Sequence, residues 1–278
     1  EWVPVCPEVE LGLGIPRETI RLEGDPAAPR LRAPKSGADH TAAMQRLART
    51  RVDMLARQDL VGYVLKKDSP TCGMERVRVY GASGPPLRTG VGAFARVLME
   101  RLPLLPVEEE GRLHDPALRE NFVERLFAYT RWRAFMSERP SRGGLVRFHT
   151  AHKLTLLAHT PAAYRRLGVL VAHAKGRPLH EVLADYGGEL MAALRVRATA
   201  ARHANVLEHM LGYFSKDLTT AERQEMAEVI ADHRRGLVPL VVPITLVKHH
   251  VRRLGIAYLQ GQTYLDPHPK ELMLRNHV

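Results

Sequence analysis

Two short clusters in the first third of the chain carry side chains able to do chemistry together. The first is Val5-Cys6-Pro7-Glu8 and the second is Lys66-Lys67-Asp68-Ser69-Pro70-Thr71-Cys72-Gly73. Each sets a thiol beside a proline, and each offers a group that could hold or move a proton, Glu8 in the first and Ser69 in the second. Both clusters follow apolar runs, Val3–Val5 and Leu60–Leu65, that read as short strands. In an open parallel sheet the loops beyond the carboxyl ends of the strands form the ligand crevice. Cys6 and Cys72, far apart in sequence, could therefore face one pocket. On residue types alone each cysteine is equally a small inert core residue. By the same standard Glu8 is a surface carboxylate at a strand end, and Ser69 is a turn residue before Pro70.

Two further patterns invite chemistry. Gly90-Val91-Gly92-Ala93-Phe94-Ala95 fits the G-x-G-x-x-A turn of dinucleotide-binding sites. A long loop from Gly81 separates it from the preceding strand, and no acidic residue closes a second strand at the required distance. These glycines instead predict a helix entry where a ligand or another backbone comes close. The chain also holds 14 histidines. His149 and His152 share a helical face with His159 two turns on, His203 and His209 fall on another helix, and His249 and His250 open a basic stretch. Two imidazoles on each of two facing helices could bind zinc or iron. Glu181, Glu189 and Glu208 are available, but no Glu-x-x-His pattern of the di-iron kind occurs. A helical His-based metalloprotein is thus one reading, beside histidines that are simply satisfied or that face RNA.

The elements that must position these groups divide into two kinds. Val3–Val5, Leu60–Leu65 and Val77–Tyr80 read as strands, while Thr41–Arg57 is helical through Met44, Leu47, Val52 and Leu55, and Thr89–Arg101 is helical too. Strand–helix alternation predicts an α/β domain with a parallel sheet over residues 1–115. Gly24–Asp39 is rich in Pro, Gly and Ala and reads as an irregular excursion. Residues 116–278 predict an all-α domain, with helices over Pro116–Arg133, Leu145–His159, Ala162–Ala174, Leu179–Arg197, Val206–Phe214, Ala221–Arg234 and Ile244–Arg253. Thr219 and Glu222 have the spacing of a capping box.

Charge follows the same division. Residues 1–115 hold 17 Lys+Arg and 16 Asp+Glu, leaving 24 and 14 for the remainder out of totals of 41 and 30. The excess of +10 in the second part, with 12 of the 14 histidines, is the footprint expected of a polyanion partner. A solvated Arg-rich helical surface would have the same composition. Arg131, Arg133, Arg142, Arg147, Lys153, Lys248, Arg252 and Arg253 are the candidate phosphate contacts, because such contacts need cation density and no particular spacing. Two cysteines exclude a disulfide-stapled secreted scaffold. No apolar run reaches membrane-span length, since the longest, Gly236–Val247, is broken by Pro239 and Pro243. A cytoplasmic protein is the default. The chain opens at Glu1 directly on an apolar run, which predicts a sequence cut at its front.

The two cysteine clusters, together with Gly12–Arg17 (GLGIPR), resemble the TudS-type thiouracil desulfidases. Thr89–Arg101 and Leu104–Gly111 (LLPVEEEG) are similar to that family as well. Arg142–His159, His203–Phe214, Gly236–Arg253 and Tyr264–Leu272 resemble the YbgA-like domain. The fused arrangement is similar to desulfidases of the RudS type, which convert 4-thiouridine in tRNA to uridine. The resemblance implies a 4Fe–4S cluster held by three cysteines, with one iron open to the substrate sulfur. Cys6 and Cys72 take two of those positions. The third comes from an N-terminal Ser-Cys-Leu-Leu-Gly-type segment that has no counterpart here, which leaves an RNA-binding module with a catalytically incomplete first domain as the rival reading. It also implies that Glu8 activates water and that Ser69 relays a proton or holds the heterocycle. Activity would then release sulfide from thiolated uracil with no net redox change. The basic helical domain would hold the tRNA.

Overall fold

The computed structural model describes residues 1–277, and its contacts divide the chain between His114 and Asp115 into two units. In the first unit the order is α1 (Pro7–Glu10), β1 (Arg21–Glu23), β2 (Arg30–Arg32), α2 (Thr41–Ala56), β3 (Tyr63–Leu65), β4 (Val77–Tyr80), β5 (Leu87–Gly90), α3 (Ala93–Arg101) and β6 (Val107–Glu109). Four strands form a sheet in the order β2-β1-β4-β5, and β3 pairs with β6 alone.

The unit is α/β, but its larger sheet is mixed. β1 and β4 are parallel, whereas β2 and β5 run antiparallel to their neighbours. Gly24–Asp39, expected as an irregular excursion, contains β2, which folds back so that Leu31 pairs with Leu22 and both are buried. Val3–Val5 forms no strand. Pro4 has no N–H to give a ladder, and Trp2 and Val3 stand exposed. The helix expected from Thr89 starts only at Ala93, because the residues up to Gly90 belong to β5. In α2 the buried stripe is Met44, Ala48, Val52 and Leu55, and it packs against α3, which buries Phe94, Ala95 and Leu98. Each large side chain so buried contributes about 1.5–3 kcal/mol.

The second unit is helical among the described residues: α4 (Pro116–Ser137), α5 (Arg142–His159), α6 (Pro161–Ala172), α7 (Leu179–Arg195), α8 (Ala200–Leu211), α9 (Thr220–Arg234), α10 (Val241–Arg253) and α11 (Ala257–Gln260). Side chains of Asp115, Ser141, Thr199 and Thr219 cap α4, α5, α8 and α9, satisfying amides that no helical carbonyl can reach. At α9 the capping box of Thr219 and Glu222 is complete. One core joins α5, α8, α9 and α10 through Leu154, Leu207, Phe214, Ile230 and Val247. A second is aromatic: Trp132 stacks on Tyr186 at 5.4 Å, with Phe135 and Phe148 around it. Gly187 admits the indole, since a Cβ there would lie 2.9 Å from it. No helix among the described residues is long and apolar enough to cross a membrane.

Candidate active site

Cys6 ends the irregular opening segment as the residue that caps α1, with Pro7 in the first helical position. Its thiol makes no capping bond and is exposed. One turn on, Glu8 points its carboxylate at two donors. Arg17 Nε donates to Oε2 at 2.5 Å, and the Thr71 hydroxyl donates to Oε1 at 2.6 Å. That second bond ties α1 to the loop after β3. The four residues named from the sequence, Cys6, Glu8, Ser69 and Cys72, thus come together through a bond between residues 63 positions apart.

Ser69 organises the loop. Its Oγ accepts the backbone N–H groups of Thr71 at 3.2 Å and Cys72 at 3.1 Å, and lies 2.9 Å from Thr71 Oγ1. Thr71 gives its proton to Glu8, so the Ser69 hydroxyl donates to Thr71. The order is Ser69 to Thr71 to Glu8, with Thr71 Oγ1 also 3.6 Å from Cys72 Sγ. Burial pushes the Cys72 thiol up to about 11, with the nearby charges of Glu8 and Cys6 adding to it and the hydrogen bonds from Thr71 and Ser69 opposing. Tyr63, at the start of β3, is mostly buried beside both cysteines, and its phenol is held protonated well above the usual range by that burial and the negative groups around it.

Three features hold this loop: sequence reasoning missed the first two, and the third it expected as a helix entry where a backbone comes close. Thr71 itself is fully buried. The glutamates at the end of β6 reach across: Glu109 accepts the Met74 amide at 2.8 Å and Glu110 the Lys67 amide at 2.7 Å, while Lys66 pairs with Glu110. The acidic run Glu108–Glu110 was the signal available for this. The third is the Gly-x-Gly pair. A Cβ on Gly92 would lie 2.5 Å from the Thr71 carbonyl group, and the first amides of α3 bond the loop instead, Ala93 to the Pro70 carbonyl and Phe94 and Ala95 to that of Thr71. The backbone that comes close is the protein's own. Asp68, with φ of 56°, sits 3.5 Å from Arg88 on the outer side of the loop.

Two thiols, one at the start of α1 and one in the loop tied to it, suit an iron–sulfur group in kind, since soft sulfur ligands select such clusters once deprotonated. In number they fall short. No group of three Cys, His, Asp or Glu side chains able to hold a metal occurs among the described residues. The histidines of the second unit are likewise engaged one by one: His149 with the Tyr186 hydroxyl, His152 with the Phe148 carbonyl, His159 with Glu124 and the Val196 carbonyl, His203 with the Tyr264 hydroxyl. His209 meets Tyr213 edge-on, and His249 meets His250.

The candidate phosphate contacts divide sharply. Arg131 gives its guanidinium to the Pro267 carbonyl and to His152, and Arg142 gives its own to the carbonyls of Ala174 and Arg177. Lys248 pairs with Asp266 and Arg253 with Glu222. Arg133 lies over the Tyr129 ring. Arg147 and Arg252 are exposed, and Lys153 lies in a groove between α5 and α6.

Residues 1–110 match the family described as 2-thiouracil desulfurase, and residues 153–269 match the family described as protein of unknown function (DUF1722). The chain belongs to the family of YbgA of Escherichia coli (strain K12), itself described as uncharacterized, with 33% identity over 153 residues, 55% of this chain and 90% of that relative. No solved structure matches the chain.

Proposed function

We propose that the chain removes sulfur from 4-thiouridine in tRNA, giving uridine, in a hydrolytic reaction that depends on a 4Fe–4S cluster. The observation that carries this reading is the Glu8–Thr71 bond, which puts two cysteines and a linked carboxylate and hydroxyl pair on one surface. The balance is simple. Water adds to the thiocarbonyl carbon, the C–S bond breaks, and sulfide leaves with the protons that water brought.

Cys6 and Cys72 would hold the cluster, which when bound supplies a soft iron to the thiocarbonyl sulfur. Glu8 takes a proton from the attacking water. Arg17 holds the carboxylate by one oxygen, so the other remains aimed through Thr71 at Ser69. Ser69 and Thr71 together return a proton toward the leaving group. The helical unit holds the nucleic acid by phosphate contacts, with Arg147 and Arg252 the exposed cations suited to it.

The rival reading, an RNA-binding module whose first domain lacks a full ligand set, is favoured by the count of two thiols. Anaerobic reconstitution with iron and sulfide, followed by assay on 4-thiouridine-containing tRNA and on free thiouracil, separates the two. Cluster absorbance with loss of thiouridine supports the enzyme. Binding of tRNA with neither cluster nor turnover supports the module.

A further inference from the structure

The groove between α5 and α6 sets Arg142, His149, Lys153 and Lys175 among apolar residues such as Val146 and Val171. It encloses about 460 Å³, and no carboxylate lines it among the described residues. On its floor is His149, 3% exposed, whose Nε2 has no hydrogen-bond partner. Its tautomer follows from its other nitrogen. The Tyr186 hydroxyl is fully buried 3.1 Å from Nδ1, and its proton has no other acceptor there, so Tyr186 donates and Nδ1 carries the lone pair. Burial, and then the nearby Lys153, push the His149 imidazole down to about 4, so the ring is neutral at pH 7. Nε2 is therefore an N–H, buried and unspent, a state that costs about 1–3 kcal/mol when nothing accepts from it.

The surroundings leave that N–H without a competing acceptor and add charge. Gly168 on α6 lies across from it, and a Cβ there would sit 3.8 Å from Nε2. Lys153, one helical turn after His149, and Lys175, on the turn after α6, line the same groove. Arg142 fixes that turn by bonding the carbonyls of Ala174 and Arg177, at 3.0 and 2.7 Å. Gly143, in the first turn of the 18-residue α5, completes the wall and brings the positive end of that helix to it.

We propose that this groove is a phosphate-binding site, in which His149 Nε2 donates to a phosphoryl oxygen while Lys153 and Lys175 balance its charge. A neutral ligand would leave two lysines without a counter-charge, and a cation would meet those lysines with no carboxylate among the described lining residues. The phosphoryl group comes either from a diester of an RNA backbone or from a free or terminal phosphate, and the site is the same for both. As an RNA contact it rests on the tRNA-binding reading above; as a phosphate site it does not.

The test uses the full chain with ¹⁵N-labelled histidine, titrated at constant ionic strength with inorganic phosphate and, separately, with a short oligoribonucleotide bearing no terminal phosphate. The His149 Nε2 resonance is expected as a protonated nitrogen that shifts and saturates. Gly168→Leu, which covers Nε2 and leaves every cation in place, should abolish the shift, and Lys153→Gln with Lys175→Gln should weaken binding about tenfold or more. A shift by phosphate alone keeps the site and removes the groove from RNA binding. A shift by the oligonucleotide alone keeps it as a backbone contact. A resonance moved by neither, moved equally by chloride, or unaffected in its titration by Gly168→Leu in a protein that melts as the wild type does, overturns the proposal.

Discussion

Thr71 Oγ1 lies 2.6 Å from Glu8 Oε1 and 2.9 Å from Ser69 Oγ, so one buried hydroxyl joins a carboxylate on α1 to a serine in the loop after β3. Thr71→Val keeps the volume and cuts that chain. In the reconstituted protein it should lower turnover of thiolated substrate at least tenfold, with Thr71→Ser recovering most of it, while Glu8→Ala should cost about 10²-fold or more. Equal turnover for the valine and serine variants would remove the hydroxyl from the reaction.

The two cysteines should differ in reactivity. In metal-free protein at pH 7, iodoacetamide should label exposed Cys6 well before Cys72, whose thiol is partly covered and pushed up to about 11. Peptide mapping against time reads the order directly. Thr71→Val removes a hydrogen bond that favours the Cys72 thiolate, so it should slow labelling of Cys72 further.

Gly92→Ala should damage the loop without touching a reactive group. Its Cβ would fall 2.5 Å from the Thr71 carbonyl, and neither backbone has room to yield. Overpacking of this kind costs about 1–3 kcal/mol. A fall in melting temperature with a loss of cluster uptake is expected, and Gly188→Ala, where nothing lies within 4 Å, is the control.

Glu124 should set the acid limb of stability in the second unit. Burial pushes its carboxyl up, but the His159 ring 3.2 Å away, and then Arg275, more than offset this and hold it well below its ordinary 4.5. A depressed folded-state value means its contribution is complete above the unfolded value and drains away as pH falls below it. Thermal melts from pH 6 down to pH 3 should show that loss, and Glu124→Gln should flatten the profile over the same window. Glu124→Ala leaves the buried His159 without its carboxylate and Arg275 with Glu120 alone, and should cost about 3–5 kcal/mol.

For nucleic acid, Arg147→Glu with Arg252→Glu should weaken tRNA binding by the full chain and reduce its salt dependence. Reversing Lys248 and Arg253 should matter less, since Asp266 and Glu222 already pair with them. Filter binding at two salt concentrations distinguishes the outcomes.

The reactive residues were legible because thiols, carboxylates and prolines are scarce and their types carry meaning. Helices of the second unit were legible too, since α7 declares itself by apolar period and α9 by its capping box. Thr71 was not, because a threonine between proline and cysteine looks like any turn residue until Glu8 arrives from elsewhere in the chain. Strand direction was hidden for the same reason. Nothing in Arg30-Leu31-Arg32 says which way it will run beside Arg21–Glu23. Arg131 and Arg142 show the limit of counting charge, for composition cannot tell a guanidinium in solvent from one bonded to carbonyls.

The first amides of a helix ordinarily exchange quickly with solvent, having no carbonyl behind them. In α3 those of Ala93, Phe94 and Ala95 are spent on the carbonyls of Pro70 and Thr71. Their deuterium uptake is therefore a clock set by the neighbouring loop. Whatever loosens the Ser69–Cys72 segment will be seen as faster exchange at the start of α3, and whatever settles there will be seen as slower exchange, with no label on either cysteine.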